Sequence, residues 1–200
     1  MRTPVTLPEL ALDLKDCRRC RLASGRTQVV FGVGNPHATI MFVGEAPGFY
    51  EDRQGEPFVG AAGRLLNELL EAVGLSRADV YIANVIKCRP PDNRDPLPDE
   101  VDTCKPFLFQ QIELIKPKVV CTLGNFAIQT LCGKKIGIMK VRGQVFQVQE
   151  FFVFPMLHPA AALHQGNLNE PLREDFRKLK AFLDRPQEPA ATVEQMNLFG

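Results

Sequence analysis

Four short apolar runs alternate with helix-like segments along this chain, and that alternation restricts the fold more than any other feature. The runs are TIMFVG at 39–44, VYIANVIK at 80–87, KVVCTLG at 118–124 and FFVFPML at 151–157. Near-continuous Val, Ile and Phe is typical of parallel strands that are covered on both faces. Strands that alternate with helices need crossover connections. The sequence therefore predicts an α/β fold, a three-layer α/β/α sandwich with a central four-stranded parallel sheet.

The segments between these runs carry helical patterns. AAGRLLNELLEAVG places its leucines on one face and stops at Gly74. DEVDTCKPFLFQQIELIKP starts with acids that suit a helix N-terminus, and we expect Pro106 to kink this helix or mark its beginning. A short helix is expected from Asn125, and an amphipathic helix is expected over EPLREDFRKLKAFL.

Two further segments have weaker patterns. Residues 134–149 predict a basic loop followed by an irregular hairpin, and from Asp184 the composition becomes that of a linker. We therefore expect one folded domain over 1–183 and a flexible tail over 184–200.

The overall composition fits one ordinary domain. The chain has 200 residues, of which 45% are apolar and 24% charged, with a formal net charge of +1. This balance does not exclude a nucleic-acid partner, because a local basic face suffices. No apolar run approaches the roughly 20 residues that cross a bilayer, and the N-terminus lacks the pattern of a secretory leader. We expect a cytoplasmic, nucleoid-associated monomer.

Six cysteines in such a chain are not expected to form disulfides, since the cytosol keeps thiols reduced. Cys121 and Cys132 have apolar neighbours and are expected to be small core residues. The other four give a C-x2-C pair, a long gap and a C-x15-C pair. Four thiolates suit zinc or an iron–sulfur cluster, and spacing does not separate the two. The alternative is four unrelated thiols.

The stretch GEAPGFYED directly follows the first apolar run. It lacks the Gly-Lys-Ser/Thr ending and the G-x-G-x-x-G spacing of phosphate-binding loops. In open α/β sheets, ligands bind outside the carboxyl ends of the strands. This rule predicts that GEAPG, the segment from Asn84 to Cys88, and LHPA lie close together.

These motifs resemble the family 4 uracil-DNA glycosylases, which carry a [4Fe–4S] cluster. GEAPG with the following ED, GEPFVGAAGRLL, NVIKCRPPDNRDP and FPMLHPA occur in the family's order and approximate spacing, from about Cys17 to Ala162. The resemblance implies a four-stranded parallel sheet between helices and a uracil-DNA substrate, single- or double-stranded. It also assigns the cluster ligands to Cys17, Cys20, Cys88 and Cys104.

The resemblance also assigns the residues of the uracil pocket. The first motif falls on Gly44, Glu45, Ala46, Pro47 and Gly48. Phe58 would stack on the flipped base, Asn84 would read its hydrogen-bonding edge, and His158 would donate to uracil O2. The plainer alternatives are a turn-capping role for Asn84 and a structural hydrogen bond for His158.

The first motif departs from that of related glycosylases with Gly-Gln-Asp-Pro-Tyr at this place. The aspartate that activates water and the tyrosine that excludes thymine's methyl group are replaced by Ala46 and Gly48. We expect Glu45 to orient water or fix the loop, and Glu51 to guard the pocket against the methyl group. Both acids could instead cap a following helix.

DNA contacts are expected outside the pocket. Basic residues around glycines would bind the DNA backbone, although a solvated loop would look similar, and they are Lys134, Lys135, Lys140 and Arg142. Arg89, beside Cys88, is expected to bind phosphate or the surroundings of the cluster. Leu163 is the candidate wedge that fills the gap left by the flipped base.

The C-terminal stretch QMNLF resembles the Gln-x-x-Leu-Phe peptide by which bacterial repair proteins bind the sliding clamp. Gln195, Leu198 and Phe199 would make that contact.

Three functions compete at this point. The first is a monofunctional uracil-DNA glycosylase with a structural cluster. The second is a non-catalytic iron–sulfur protein that binds DNA or senses redox state. The third is a glycosylase with a looser pocket that acts on other deaminated bases.

Overall fold

The structure, a computed structural model, describes residues 6–133, 136–148 and 150–185. The helices are α1 (Leu7–Leu14), α2 (Phe49–Gln54), α3 (Ala61–Ala72), α4 (Pro98–Ile115), α5 (Gly124–Cys132), α6 (Ile138–Val141), α7 (Pro159–His164) and α8 (Asn169–Leu183). The strands are β1 (Val33–Gly34), β2 (Ile40–Gly44), β3 (Tyr81–Asn84), β4 (Val119–Leu123), β5 (Phe146–Val148) and β6 (Phe151–Met156). Within the described residues, no helix is long and apolar enough to span a membrane.

The strands form one sheet in the order β1-β3-β2-β4-β6-β5. The four central strands are parallel, and the edge strands β1 and β5 pair antiparallel with β3 and β6. The predicted α/β fold with four parallel strands is confirmed, and the structure adds the two short edge strands. Gly44 pairs with Asn84, so the ends of β2 and β3 meet at one edge of the sheet.

The core lies on both faces of these strands. Every residue of β2, β3 and β4 is buried, which explains their continuous apolar sequences. The Phe176 ring of α8 stacks on Phe42 of β2 with centroids 5.9 Å apart. Cys121 and Cys132 are buried, as predicted for small core residues.

The structure adds detail to two local predictions. Helix α4 starts at Pro98, eight residues before Pro106, so Pro106 lies inside the helix and does not mark its beginning, and the kink stays a prediction. The buried Glu100 carboxylate fixes this start, because it accepts the Leu97 N–H at 2.8 Å and pairs with Arg94 at 2.7 Å. The predicted hairpin corresponds to the antiparallel strands β5 and β6, and the segment predicted as a loop before it contains the short helix α6. The side-chain oxygen of Asn125 accepts the Ile138 N–H at 2.7 Å and fixes its first residue.

The predicted DNA-contacting residue Arg142 is engaged inside the protein. Its side chain is only 14% exposed and pairs with the buried Asp175 at 2.8 Å. The same guanidinium contacts Glu174 and the carbonyl of Pro171. Asp175 also accepts the Leu157 N–H at 3.0 Å, directly before His158. The geometry thus gives Arg142 a structural role, that of positioning the His158 loop, and provides no support for the DNA contact.

We therefore expect Arg142→Ala to destabilise the fold. The substitution leaves the Asp175 carboxylate buried without its cationic partner, which costs about 3–5 kcal/mol. Urea unfolding should show this loss, whereas Lys140→Ala, a change at an exposed lysine on the neighbouring helix, should stay within about 0.5 kcal/mol of wild type. Equal unfolding midpoints for both variants would contradict the structural role.

Candidate active site

The loops after the parallel strands converge on one cavity. The Val85 N–H donates to the Gly44 carbonyl at 2.9 Å, and the Ile86 N–H donates to the Glu45 carbonyl at 3.1 Å. A Cβ at Gly124 would lie 3.2 Å from the Cβ of His158, so the ends of β4 and β6 are equally close. The cavity has a volume of about 390 Å³, and its lining includes Glu45, Asp95, Leu123, Gly124, Asn125 and His158. The predicted meeting of these loops is confirmed.

Asn84 ends β3 with an unpartnered acceptor. The residue is 2% exposed, and its Oδ1 atom has no hydrogen-bond partner among the described residues. A Cβ on Gly44 would lie 2.5 Å from this oxygen and 2.7 Å from Cζ of Phe58. Only glycine therefore leaves room for the amide and the ring. A buried acceptor without a partner is costly, and a bound ligand with an N–H group would satisfy it.

Phe58 adopts a backbone conformation that is strained for its residue type. Its φ of 55° lies in the left-handed region, which bulky residues rarely occupy. The ring is buried, and its centroid lies 5.5 Å from that of the His158 imidazole with an interplanar angle of 30°. The strain thus places an aromatic face beside both Asn84 and His158.

Three contacts hold this strained loop. The Arg77 guanidinium donates to the carbonyls of Pro57 and Phe58 at 2.8 and 3.1 Å. Glu51 accepts the N–H groups of Val59 and Gly60, both at 3.0 Å. The first turn of α3 lies so close that a Cβ on Gly63 would be 1.8 Å from the Phe58 oxygen.

These contacts bear on the predicted role of Glu51. Because its carboxylate binds the backbone at the start of α3, the structure favours the capping alternative and gives Glu51 a positioning role. Exclusion of the methyl group by Glu51 stays a prediction.

His158 is fixed as a neutral donor. Its Nδ1 accepts the Ala160 N–H at 3.1 Å, so the neutral ring carries its proton on Nε2. Burial lowers the pKa of His158 to about 4, and the nearby Glu51 acts in the opposite direction. The ring therefore offers an N–H donor without a positive charge at neutral pH.

Glu45 is partly buried at the cavity wall. Burial, followed by the negative charge of Asp95, raises the pKa of this carboxyl to about 7. Asp95 was not predicted as a site residue. It lies in NRDP, far along the chain from Glu45, and only the fold brings it to the same cavity.

The four candidate ligand cysteines influence one another. Burial raises the pKa of Cys88 to about 12, and Cys20 and Cys104 contribute to this increase. Burial likewise raises the pKa of Cys104, with further contributions from Cys20 and Cys17. Arg26 donates to Sγ of Cys88 at 3.4 Å, and the Lys87 N–H donates to Sγ of Cys104 at 3.3 Å. The four thiols thus lie in one neighbourhood with donors directed at sulfur.

Among the described residues, no group of three or more His, Cys, Asp or Glu is arranged to hold a metal ion.

The remaining predicted residues fall into three groups. Ala46, Pro47 and Gly48 form the loop between β2 and α2, and a Cβ on Gly48 would lie 2.7 Å from Glu51 Oε2. Lys140 and Leu163 are exposed on α6 and α7, beside the cavity. Lys134, Lys135 and the clamp-peptide residues Gln195, Leu198 and Phe199 lie outside the described residues, so their roles stay predictions.

A sequence model of the uracil DNA glycosylase superfamily matches residues 31–180, which contain all of the parallel strands and the cavity. The chain belongs to this superfamily. Similar proteins include type-4 uracil-DNA glycosylases of Archaeoglobus fulgidus, 45% identical over 91% of this chain and 96% of the relative, and of Thermotoga maritima, 46% identical over 92% and 99%. The resemblance to family 4 is confirmed. A type-5 uracil-DNA glycosylase of Pyrobaculum aerophilum is more distant, 31% identical over 84% of this chain and 89% of the relative.

The contacts of Phe58 predict that a substitution at Gly63 will disturb the active site. Gly63→Ala would place Cβ within the Phe58 carbonyl group, so the loop must move and the ring must leave its position. We expect a loss of about 1–3 kcal/mol of stability and a drop in uracil release that exceeds the loss of folded protein. Gly166→Ala, where a Cβ meets nothing within 4 Å, is the matched control. Unchanged uracil release by folded Gly63→Ala would show that the Phe58 position is unimportant.

Proposed function

We propose that this protein is a uracil-DNA glycosylase that flips uracil out of DNA and hydrolyses its N-glycosidic bond, leaving an abasic site. The unpartnered Asn84 oxygen, beside the Phe58 ring that in turn lies against the neutral His158, is the observation that carries the proposal. The type-4 and type-5 relatives support it by name.

Base identity is read by the Asn84 amide. Its Oδ1 accepts the uracil N3–H, and its amide N–H donates to O4. Cytosine presents the opposite pattern at both atoms and would leave buried polar groups unsatisfied, at about 1–3 kcal/mol each. The Phe58 face stabilises the flipped ring by stacking, which is independent of base identity.

Bond cleavage separates charge between the two fragments. As the bond between C1′ and N1 breaks, its electron pair moves to uracil and positive charge develops on the sugar. The His158 Nε2–H donates to uracil O2 and stabilises this anion without transferring a proton. Because the ring is neutral, it donates this hydrogen bond without adding a positive charge close to the developing sugar cation.

Water completes the reaction. In our proposal Glu45 orients the water and takes its proton as the oxygen bonds to C1′, which neutralises the sugar cation. Asp95 raises the proton affinity of Glu45 and adds negative charge close to that cation. Lys140 binds the DNA backbone next to the cavity, and Leu163 at the exposed end of α7 enters the duplex.

Cys17, Cys20, Cys88 and Cys104 would hold a [4Fe–4S] cluster. Their shared neighbourhood and the two donors directed at sulfur fit such a group. Bound there, the cluster supplies a structural cross-link between the N-terminal C-x2-C segment and the loop over 88–104. The protein's own residues carry out the base reading and the hydrolysis.

The activity test uses oligonucleotides with uracil, hypoxanthine or a thymine mismatch, single- and double-stranded. We expect abasic sites at uracil, and about 5- to 150-fold slower release by Asn84→Ala, from the cost of about 1–3 kcal/mol of one lost buried hydrogen bond. Asn167→Ala, at an exposed asparagine, should match wild type.

Two outcomes of this assay would favour one of the competing functions. Release of hypoxanthine as fast as uracil would favour the looser pocket, and no release at all would favour the non-catalytic protein. A visible absorbance that bleaches on oxidation distinguishes an iron–sulfur cluster from zinc.

The pH profile of uracil release tests the role of Glu45 as the base and its coupling to Asp95. If Glu45 is the base, kcat/KM for uracil release rises with pH through about 7, where Glu45 loses its proton. Asp95→Asn removes a negative charge that raises this pKa, so the midpoint of the rise should move to lower pH. Asp102→Asn, at an exposed acid on α4, is the control and should leave the midpoint in place. A midpoint that stays at the wild-type pH in Asp95→Asn would exclude the coupling.

A further inference from the structure

Two consecutive aromatic side chains stand exposed at the start of α2. Phe49 is 43% exposed and Tyr50 is 59% exposed, directly after the loop that begins with the cavity-lining Glu45. Single exposed apolar residues are common, but an adjacent aromatic pair next to an active site is a feature that calls for a ligand. Met139 on α6 and Leu163 on α7 are also exposed beside the cavity.

The two rings are ordered by contacts with each other and with arginines. Their centroids are 5.4 Å apart in an edge-to-face arrangement, with an interplanar angle of 83°. The guanidinium carbons of Arg53 and Arg89 lie 5.5 and 5.1 Å from the Phe49 centroid. Tyr50 also reaches the loop that carries Phe58, since a Cβ on Gly60 would lie 3.6 Å from its ring.

The two arginines carry positive charge that the described residues do not neutralise. Neither Arg53 nor Arg89 forms an ion pair in the described part of the chain, and Arg89 donates to the neutral side chain of Asn93 at 2.7 Å. Arg89 also lines a groove of about 300 Å³ together with Arg21, Pro90 and Pro91. The aromatic pair therefore contacts the loop that carries Phe58 on one side and Arg89, which lines this groove, on the other.

An aromatic face beside unpaired guanidinium groups matches the chemistry of a nucleotide. Bases of any sequence stack on aromatic rings, and guanidinium groups bind the phosphates between them. In a duplex the neighbours of the uracil are already stacked and paired, so only an unpaired strand offers free base faces.

We propose that the exposed Tyr50 ring, supported edge-to-face by Phe49, is a stacking platform for a base of single-stranded DNA next to the flipped uracil, with Arg53 and Arg89, which lie over the Phe49 ring, binding the neighbouring phosphates. The inference rests on the proposed activity on uracil in DNA and adds a subsite to it. The platform does not touch the reacting atoms, so it acts on substrate binding and leaves kcat unchanged.

The test combines changes in the protein and in the DNA. The protein variants are Phe49→Ala/Tyr50→Ala, the conservative Tyr50→Phe, and Leu12→Ala on α1 as a control at a 72% exposed apolar residue. The substrates are a single-stranded oligonucleotide with one central uracil, the same oligonucleotide with baseless sugars on both sides of the uracil, and the duplex.

We expect the double alanine variant to raise KM on the ordinary single strand about 5- to 150-fold, from about 1–3 kcal/mol per stacked base. Its KM on the baseless-neighbour strand and on the duplex should match wild type, as should its kcat. Tyr50→Phe and Leu12→Ala should match wild type throughout. An unchanged KM on the ordinary strand, or an equal increase on all three substrates, would overturn the platform.

A binding measurement separates this inference from the proposed activity. Fluorescence anisotropy with uracil-free single-stranded DNA should show the same loss of affinity in the double alanine variant. Loss of affinity without any uracil release by wild type would leave the platform standing and remove the proposed activity. Uracil release by wild type, together with equal affinity of wild type and variant for the uracil-free strand, would support the proposed activity and overturn the platform.

Discussion

A buried lysine joins the base-reading strand to the cysteine neighbourhood. The Lys87 ammonium donates to the Asn84 carbonyl at 2.8 Å and to Gln111 at 2.6 Å, while its backbone N–H donates to Sγ of Cys104 at 3.3 Å. A buried cation is tolerated only when such partners are fixed. The position of Asn84 thus depends on the same residue that binds a candidate cluster ligand. A cluster bound by these cysteines, as proposed, would therefore support the position of Asn84 without taking part in the proposed chemistry.

The Phe58 loop shows how rigidity elsewhere maintains a strained site. A left-handed phenylalanine persists only when its surroundings outweigh the strain, which is of order 1–3 kcal/mol. Here Arg77, Glu51 and the close approach of Gly63 fix the loop from three directions. The Arg142–Asp175 pair does the same for the backbone before His158. Both sides of the pocket are therefore set before any substrate arrives, which is the condition for selective hydrogen bonding to a base.

Sequence patterns predicted the main strands and helices, but they did not predict contacts between residues that are distant along the chain. The four parallel strands were predictable from their continuous apolar residues, and the helices α3 and α8 from apolar residues that repeat on one helical face. The edge strand β1 and the helix α6 have too few residues to show a period. Glu51, Arg142 and Asp95 differ from other charged residues only in their neighbours, and spacing along the chain does not report those. Asn84 and His158 were placed through the family motifs, and their chemical states came from the structure.

Burial shifts the pKa values of two cavity-lining residues, Glu45 and His158, in opposite directions. It raises the pKa of Glu45 to about 7 and lowers that of His158 to about 4, so both groups are pushed toward their neutral forms. Below about pH 7, Glu45 is protonated and cannot accept a proton from water, whereas His158 still donates to uracil. Above it, Glu45 carries a negative charge beside Asp95, close to the position where positive charge would develop on the sugar in the proposed reaction. With Glu45 as the proposed base, the acidic limit of the reaction belongs to this residue, and His158, as the proposed donor, imposes no limit of its own at any higher pH. The same two carboxylates would stabilise a dissociated sugar cation before water adds, so one arrangement serves both steps.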